Sequence, residues 1–260
     1  MAIVLELDNQ DLQQFVRTAT KFGTDRFGYV VTPNADHLIR YYDDPAFRTT
    51  YADAQFVLSD SRFLSYLLAV TKRLRVPVCA GSDLTAALFT DVVRPHDRIV
   101  LIGGSAAQAA ALAARFGLAN LRHINPPMGF INDAAAVDSV LEFIEQQSPF
   151  RFCLLGVGCP RQEILAQLLK QRGIARGLAL CVGASVDFLT GQERRAPRVM
   201  QQLGLEWLFR LLQNPRRLAG RYLVRGPRVF NVLRHIQIRI KPDPALCRIE
   251  STAEVEALPD

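Results

Sequence analysis

The chain predicts an α/β fold: a parallel sheet with helices on both faces, followed by a basic helical C-terminal appendage. Three observations carry this expectation. Short runs rich in Val, Ile, Leu and Phe alternate with segments of helical period, as in a parallel sheet covered on both sides. Several runs end in Gly or other small residues, at the strand ends where such sheets gather ligands. Past Arg195 the strand signal fades and an arginine-rich amphipathic pattern takes over.

Taken in order, the strand candidates are FGYVVT at 27–32, AQFVLS at 54–59, RIVLIGG at 98–104, RFCLLGVG at 151–158 and LALCVGA at 178–184. After Asp60, the residues Phe63, Leu64, Leu67 and Leu68 recur at helical spacing; an alanine-rich helix follows Ser105; Ile164, Leu165, Leu168 and Leu169 follow Pro160. Further on, Leu205, Leu208, Leu211 and Leu212 mark an amphipathic helix, and Asn214-Pro215 opens another. On the latter, Arg217 and Arg221 share a face at spacing four, beside Leu218 and Tyr222. A last strand signal lies at Ile236–Ile240. The expected division is 1–195 for the α/β domain, 196–245 for the appendage and 246–260 for a flexible, Pro-containing tail.

Composition narrows the function. An apolar share of 49% is enough to fill a sizeable core. No apolar run approaches the roughly 20 residues of a spanning helix, and MAIVLELDNQ lacks a secretory n-region and h-region, so a cytosolic location is expected. Five cysteines, odd in number and without a C-x-x-C pair, predict neither a disulfide framework nor a zinc site. Residues 194–241 hold twelve Lys/Arg against one acid, Glu206, whereas the remainder holds 19 basic and 24 acidic residues. That polarity points to a membrane surface, a phosphorylated ligand or nucleic acid. Trp207, Phe209, Tyr222 and Phe230 among the arginines suit a membrane interface.

Each strand end has a chemical and a structural reading. Asp60, in LSDSRF, can act as a general base, but Asp and Ser there also cap helices well, and pattern alone puts capping first. Thr32 and Asn34 can hold sugar hydroxyls; Asn34 can equally cap the next helix. In Gly156-Val157-Gly158-Cys159-Pro160-Arg161-Gln162-Glu163, two glycines admit a ligand to the backbone and a helix start with Arg161 offers N–H groups to phosphate. It is neither G-x-G-x-x-G, since Arg161 holds the third glycine position, nor a Walker A loop. Gly103 and Gly104 offer a similar cradle, and Ser185 and Asp187 follow the turn at Gly183. There is no D-x-D, no G-x-S-x-G and no His/Asp/Glu cluster at metal-ligand spacing, with His37, His96, His123 and His235 scattered. No metal and no cofactor are therefore expected, and arginines with helix dipoles are left to meet phosphate charge.

These residues resemble the bacterial WecB/TagA/CpsF glycosyltransferases (glycosyltransferase family 26). The resemblance is carried by TPN at 32–34, Asp60, GVGCPRQE at 156–163, VGASVDFLTG at 182–191 and RAPRVMQQLGLEWLFRLLQNPRRLAGRYL at 195–223. It implies a Rossmann-like fold with a membrane-contacting appendage on the inner face of the cell membrane. It further implies inverting, metal-independent transfer from a UDP-sugar to a polyprenyl-diphosphate-linked saccharide. Asp60 would be the base, Thr32 and Asn34 would line the sugar pocket, Gln162 would sit near the nucleotide, and Arg216, Arg217 and Arg221 would face the diphosphates. Two departures, Ser59-Asp60-Ser61 for Pro-Asp-Gly and Val78 for an arginine, bear on donor and acceptor identity and lean toward a hexose such as glucose in exopolysaccharide assembly. Self-association is left open. The alternatives are a nucleic-acid-binding module using the basic tail, or a membrane-bound assembly subunit with a degenerate site.

Overall fold

The computed structural model describes residues 2–242. Eight strands run β1 Ile3–Leu7, β2 Phe27–Val31, β3 Phe56–Val57, β4 Ile99–Ile102, β5 Leu121–Ile124, β6 Phe152–Leu155, β7 Gly177–Cys181 and β8 Ile236–Ile240. The helices of the first two thirds are α1 Leu12–Lys21, α2 Ala35–Asp43, α3 Pro45–Ala52, α4 Arg62–Lys72, α5 Gly81–Ala87, α6 Ala106–Phe116, α7 Ala134–Gln146 and α8 Arg161–Arg172. They are followed by α9 Ser185–Leu189, α10 Arg198–Gln202, α11 Glu206–Gln213, α12 Pro215–Ala219 and α13 Arg228–His235.

Six strands form one parallel sheet in the order β3-β2-β7-β6-β4-β5. Side chains alternate across it, and both faces are covered. Tyr29 and Val31 enter one core cluster while Val30 enters the other; Val100 and Ile102 oppose Ile99 and Leu101 in the same way. Continuous apolar runs are what such two-sided burial requires. The expected α/β class is therefore the observed one. The chain builds the β2–β3 edge, crosses to β4–β5, then returns to place β6 and β7 between them. A crevice opens at that reversal, beyond the carboxyl ends of the strands.

Three differences from the sequence reading have physical causes. The run at 54–59 yields only the two-residue β3, whose outer edge is blocked because the Asp8 carboxylate accepts from Val57 N at 2.6 Å. β5 escaped notice because LRHI is a half-exposed edge strand with polar residues. β1 escaped because its partner is distant: it pairs in parallel with β8, Ile3 opposite Ile236 through Leu7 opposite Ile240.

That pairing returns the end of the chain to its beginning. α13 packs on α2, and Val229, Val232, Leu233 and Ile236 lie in the larger core cluster. The arginines are likewise matched to acids of the main body. Arg195 meets Asp83, Arg221 and Arg225 meet Asp36, Arg228 meets Asp43, and Arg210 and Arg217 share Glu193. Six arginines thus share four acids, so part of the charge polarity is folded against itself and a net positive charge remains on the appendage. The expected tail at 246–260, with the last residues of the expected appendage, lies outside the described residues.

Candidate active site

The crevice encloses about 900 Å³ between the strand ends and helices α11–α13. Asp60 stands on its wall, half-buried, and does not cap α4; Ser61 does, accepting from Leu64 N. The Asp60 carboxylate accepts from Gly81 N at 2.6 Å and from Asn34 Nδ2 at 3.4 Å. Burial raises its pKa above the usual carboxylate range; the Gly81 amide, Asn34, Arg210 and Arg221 oppose that rise.

Gly81 explains how these groups come so close. A Cβ there would lie 3.3 Å from Thr32 Oγ1, 3.4 Å from Asp60 Oδ1 and 3.6 Å from Ser185 Oγ. The sequence does not single out this glycine, because Asp60 lies 21 residues away and reaches it only in the fold. Thr32 and Ser185 are buried on the same wall, their hydroxyls donating to the Cys181 and Val182 carbonyls. Asn34 fulfils both readings of it at once. Its Oδ1 caps α2 by accepting from the Asp36 and His37 amides, while Nδ2 points to Asp60.

The turn after β6 is more self-contained than its glycines suggested. Gln162 N donates to the Gly158 carbonyl at 3.1 Å, which occupies one amide of the helix start. The Gln162 side chain accepts from Gly183 N at 3.0 Å and donates to Glu163 Oε1 at 2.7 Å. Gly158 and Gln162 line the crevice, whereas Gly156, Arg161 and Glu163 do not. Gly103, Gly104 and Asp187 also lie off it. Gly103 packs against the Gly156 backbone, and Gln108, in a capping box with Ser105, reaches Asp187 at 2.5 Å. Burial raises the Asp187 pKa, and this hydrogen bond works against the rise.

Opposite, the appendage supplies the basic wall. Arg210, Arg217 and Arg221 line the crevice; Arg216 is exposed outside it. Arg210 was not singled out from sequence; it lies on α11, one helix before Arg217. Trp207 corrects the interfacial reading given to it. It lines the crevice, packs edge-on against Phe63 and Tyr222, and leaves its buried indole N–H without a partner. Burial raises the pKa of the neighbouring Glu206, which Arg195 counters from 3.7 Å.

Behind Gln162, His37, Cys159 and Glu163 bring ligand-capable atoms within 4.8 Å of one another. The expectation of no metal-ligand cluster missed this because α2 and α8 meet only through tertiary packing. Burial lowers the His37 pKa to about 4, with Arg221 adding to the effect, raises Glu163 to about 7 and pushes the Cys159 thiol up.

A carboxylate facing guanidinium groups across a crevice suits proton abstraction from a hydroxyl beside a charged leaving group. The sequence matches the Glycosyl transferase WecG/TagA/CpsF family over residues 2–241. The chain belongs to this family. It is a glycosyltransferase of cell-surface polysaccharide biosynthesis. Among the described residues no helix is long and apolar enough to cross a membrane.

Proposed function

We propose that this glycosyltransferase moves a sugar, with inversion, from a UDP-sugar to a polyprenyl-diphosphate-linked saccharide. The observation that carries the reading is Asp60: a carboxylate on the crevice wall, oriented by Gly81 N and within electrostatic reach of Arg210 and Arg221. The acceptor hydroxyl oxygen attacks the anomeric carbon of the donor and its proton passes to Asp60. The bond from the anomeric carbon to the UDP oxygen breaks on the opposite face. Thr32 and Asn34 hold the sugar side of the crevice. Arg210, Arg217 and Arg221 with the strand-end amides bring the positive charge that the departing diphosphate needs, so transfer requires no metal at the reacting centre.

The orientation of Asp60 favours a working enzyme over a degenerate subunit, and the pairing of the arginines with acids favours it over a nucleic-acid module. The appendage also exposes Leu212, Leu223, Val224 and Phe230 beside Arg216 and Arg225. An apolar surface interleaved with cations fits peripheral contact with an anionic cytoplasmic membrane face, where the lipid-linked acceptor resides.

The test is mass spectrometry of the acceptor after incubation with a panel of UDP-sugars, including UDP-glucose and UDP-N-acetylmannosamine. One donor is expected to add a single sugar mass with release of UDP. A folded protein that adds no mass from any donor would refute the reading.

A further inference from the structure

His37 on α2, Cys159 in the turn after β6 and Glu163 on α8 converge at the crevice wall, with one ligand-capable atom from each inside 4.8 Å of the others. A second observation says that this is more than a chance meeting. Glu163 is fully buried; Gln162 holds one of its oxygens, Oε2 has no hydrogen-bond partner within normal distance, and the Cys159 thiol stands beside the carboxylate. A buried carboxylate oxygen without a donor is destabilising unless a cation or proton meets it. His37 is buried too, and its Nδ1 lies 3.1 Å from the Tyr51 hydroxyl. Outer partners of that kind fix the tautomer and orientation of ligating imidazoles.

We propose that His37, Cys159 and Glu163 form a binding site for a thiophilic divalent cation of the zinc class. Imidazole, thiolate and carboxylate are the donor set such an ion takes, in tetrahedral array. Thiolate and carboxylate together cancel its charge, so the occupied site carries no net charge into the interior. Magnesium, which demands octahedral oxygen ligands, is poorly served by these donors. Three protein ligands leave one coordination position. His37 and Cys159 also line the crevice, so solvent has a route to the site. The inference does not depend on which sugar is transferred, and Asp60 takes no part in the site.

The test uses the full chain, freed of metal by a chelator and then titrated with cobalt(II) as a spectroscopic stand-in. One equivalent is expected to produce a thiolate-to-cobalt charge-transfer absorption and strong tetrahedral visible bands. Zinc should displace it and magnesium should not. Cys159→Ser should abolish the charge-transfer band, Cys79→Ser should keep it, and Glu163→Gln should weaken zinc binding by about tenfold or more. Absence of the band in the wild type, or its persistence in Cys159→Ser, would overturn the proposal. Should Cys159→Ser prove misfolded by circular dichroism, alkylation of wild-type Cys159, read by peptide mass spectrometry, decides the matter. Protection by zinc is expected; equal labelling with and without zinc would overturn the site.

Discussion

Leu233 measures how firmly the end of the chain belongs to the core. It lies on α13 with 2% of its surface exposed, in the same cluster as Val229, Val232 and Ile236. Replacing it with Ala removes buried methyl groups and leaves a cavity in a wall shared by α13, α2 and the β1–β8 pair, at a cost of about 2–5 kcal/mol. For a chain of this size each kcal/mol shifts Tm by roughly 2–4 °C, so a fall of about 10 °C is expected. Leu223, which is 58% exposed, provides the contrast: Leu223→Ala should change stability by no more than about 0.5 kcal/mol. Thermal denaturation followed by circular dichroism reads both. A fall below about 2 °C for Leu233→Ala would show that α13 rests loosely on α2 and that the appendage is a separable unit. The same reasoning condemns truncation after Arg195 as a clean probe of membrane contact, since it strips β8 from β1 and uncovers the core.

Asn34→Ala removes a donor that lowers the Asp60 pKa, so that pKa rises and the acid limb of the transfer rate should move to higher pH; an unmoved limb in rate–pH profiles would count against Asp60 as the titrating base. Gly81→Ala places a methyl group 3.4 Å from Asp60 Oδ1 and 3.3 Å from Thr32 Oγ1, so kcat should fall by up to about 10²-fold while the melting transition stays cooperative. Leu223→Glu combined with Val224→Glu should weaken flotation on anionic vesicles by about 10²-fold, given about 1.5 kcal/mol or more per buried apolar side chain; unchanged flotation would place the membrane contact elsewhere.

The sheet was legible because burial on both faces imposes runs such as IVLI at β4 and FCLL at β6, whose shortness and flanking turns mark strands rather than buried helix. β1 and β5 were not, because short strands with polar residues depend for their pairing on partners that local sequence does not reveal. The site was legible where chemistry sits at strand ends, as at Thr32, Asn34 and Asp60. It was misjudged where a turn serves packing. Gly103 and Gly104 read as a ligand cradle, yet Gln108 ties that turn to Asp187 off the crevice wall. Glycine at such turns reports only a positive φ, here +93° and +75°, and says nothing of whether a ligand or a neighbouring backbone requires it. Ion pairing was the least visible layer. The acids that neutralise the arginines, Asp36, Asp43, Asp83 and Glu193, are dispersed along the chain.

Asp60→Asn tests the chemistry most directly. Asparagine keeps the shape and the acceptor for Gly81 N but cannot take a proton from the incoming hydroxyl. Initial rates of sugar transfer to the polyprenyl-diphosphate acceptor should fall by about 10²–10⁴-fold, with UDP affinity unchanged. Transfer within about tenfold of wild type would contradict the role given to this carboxylate.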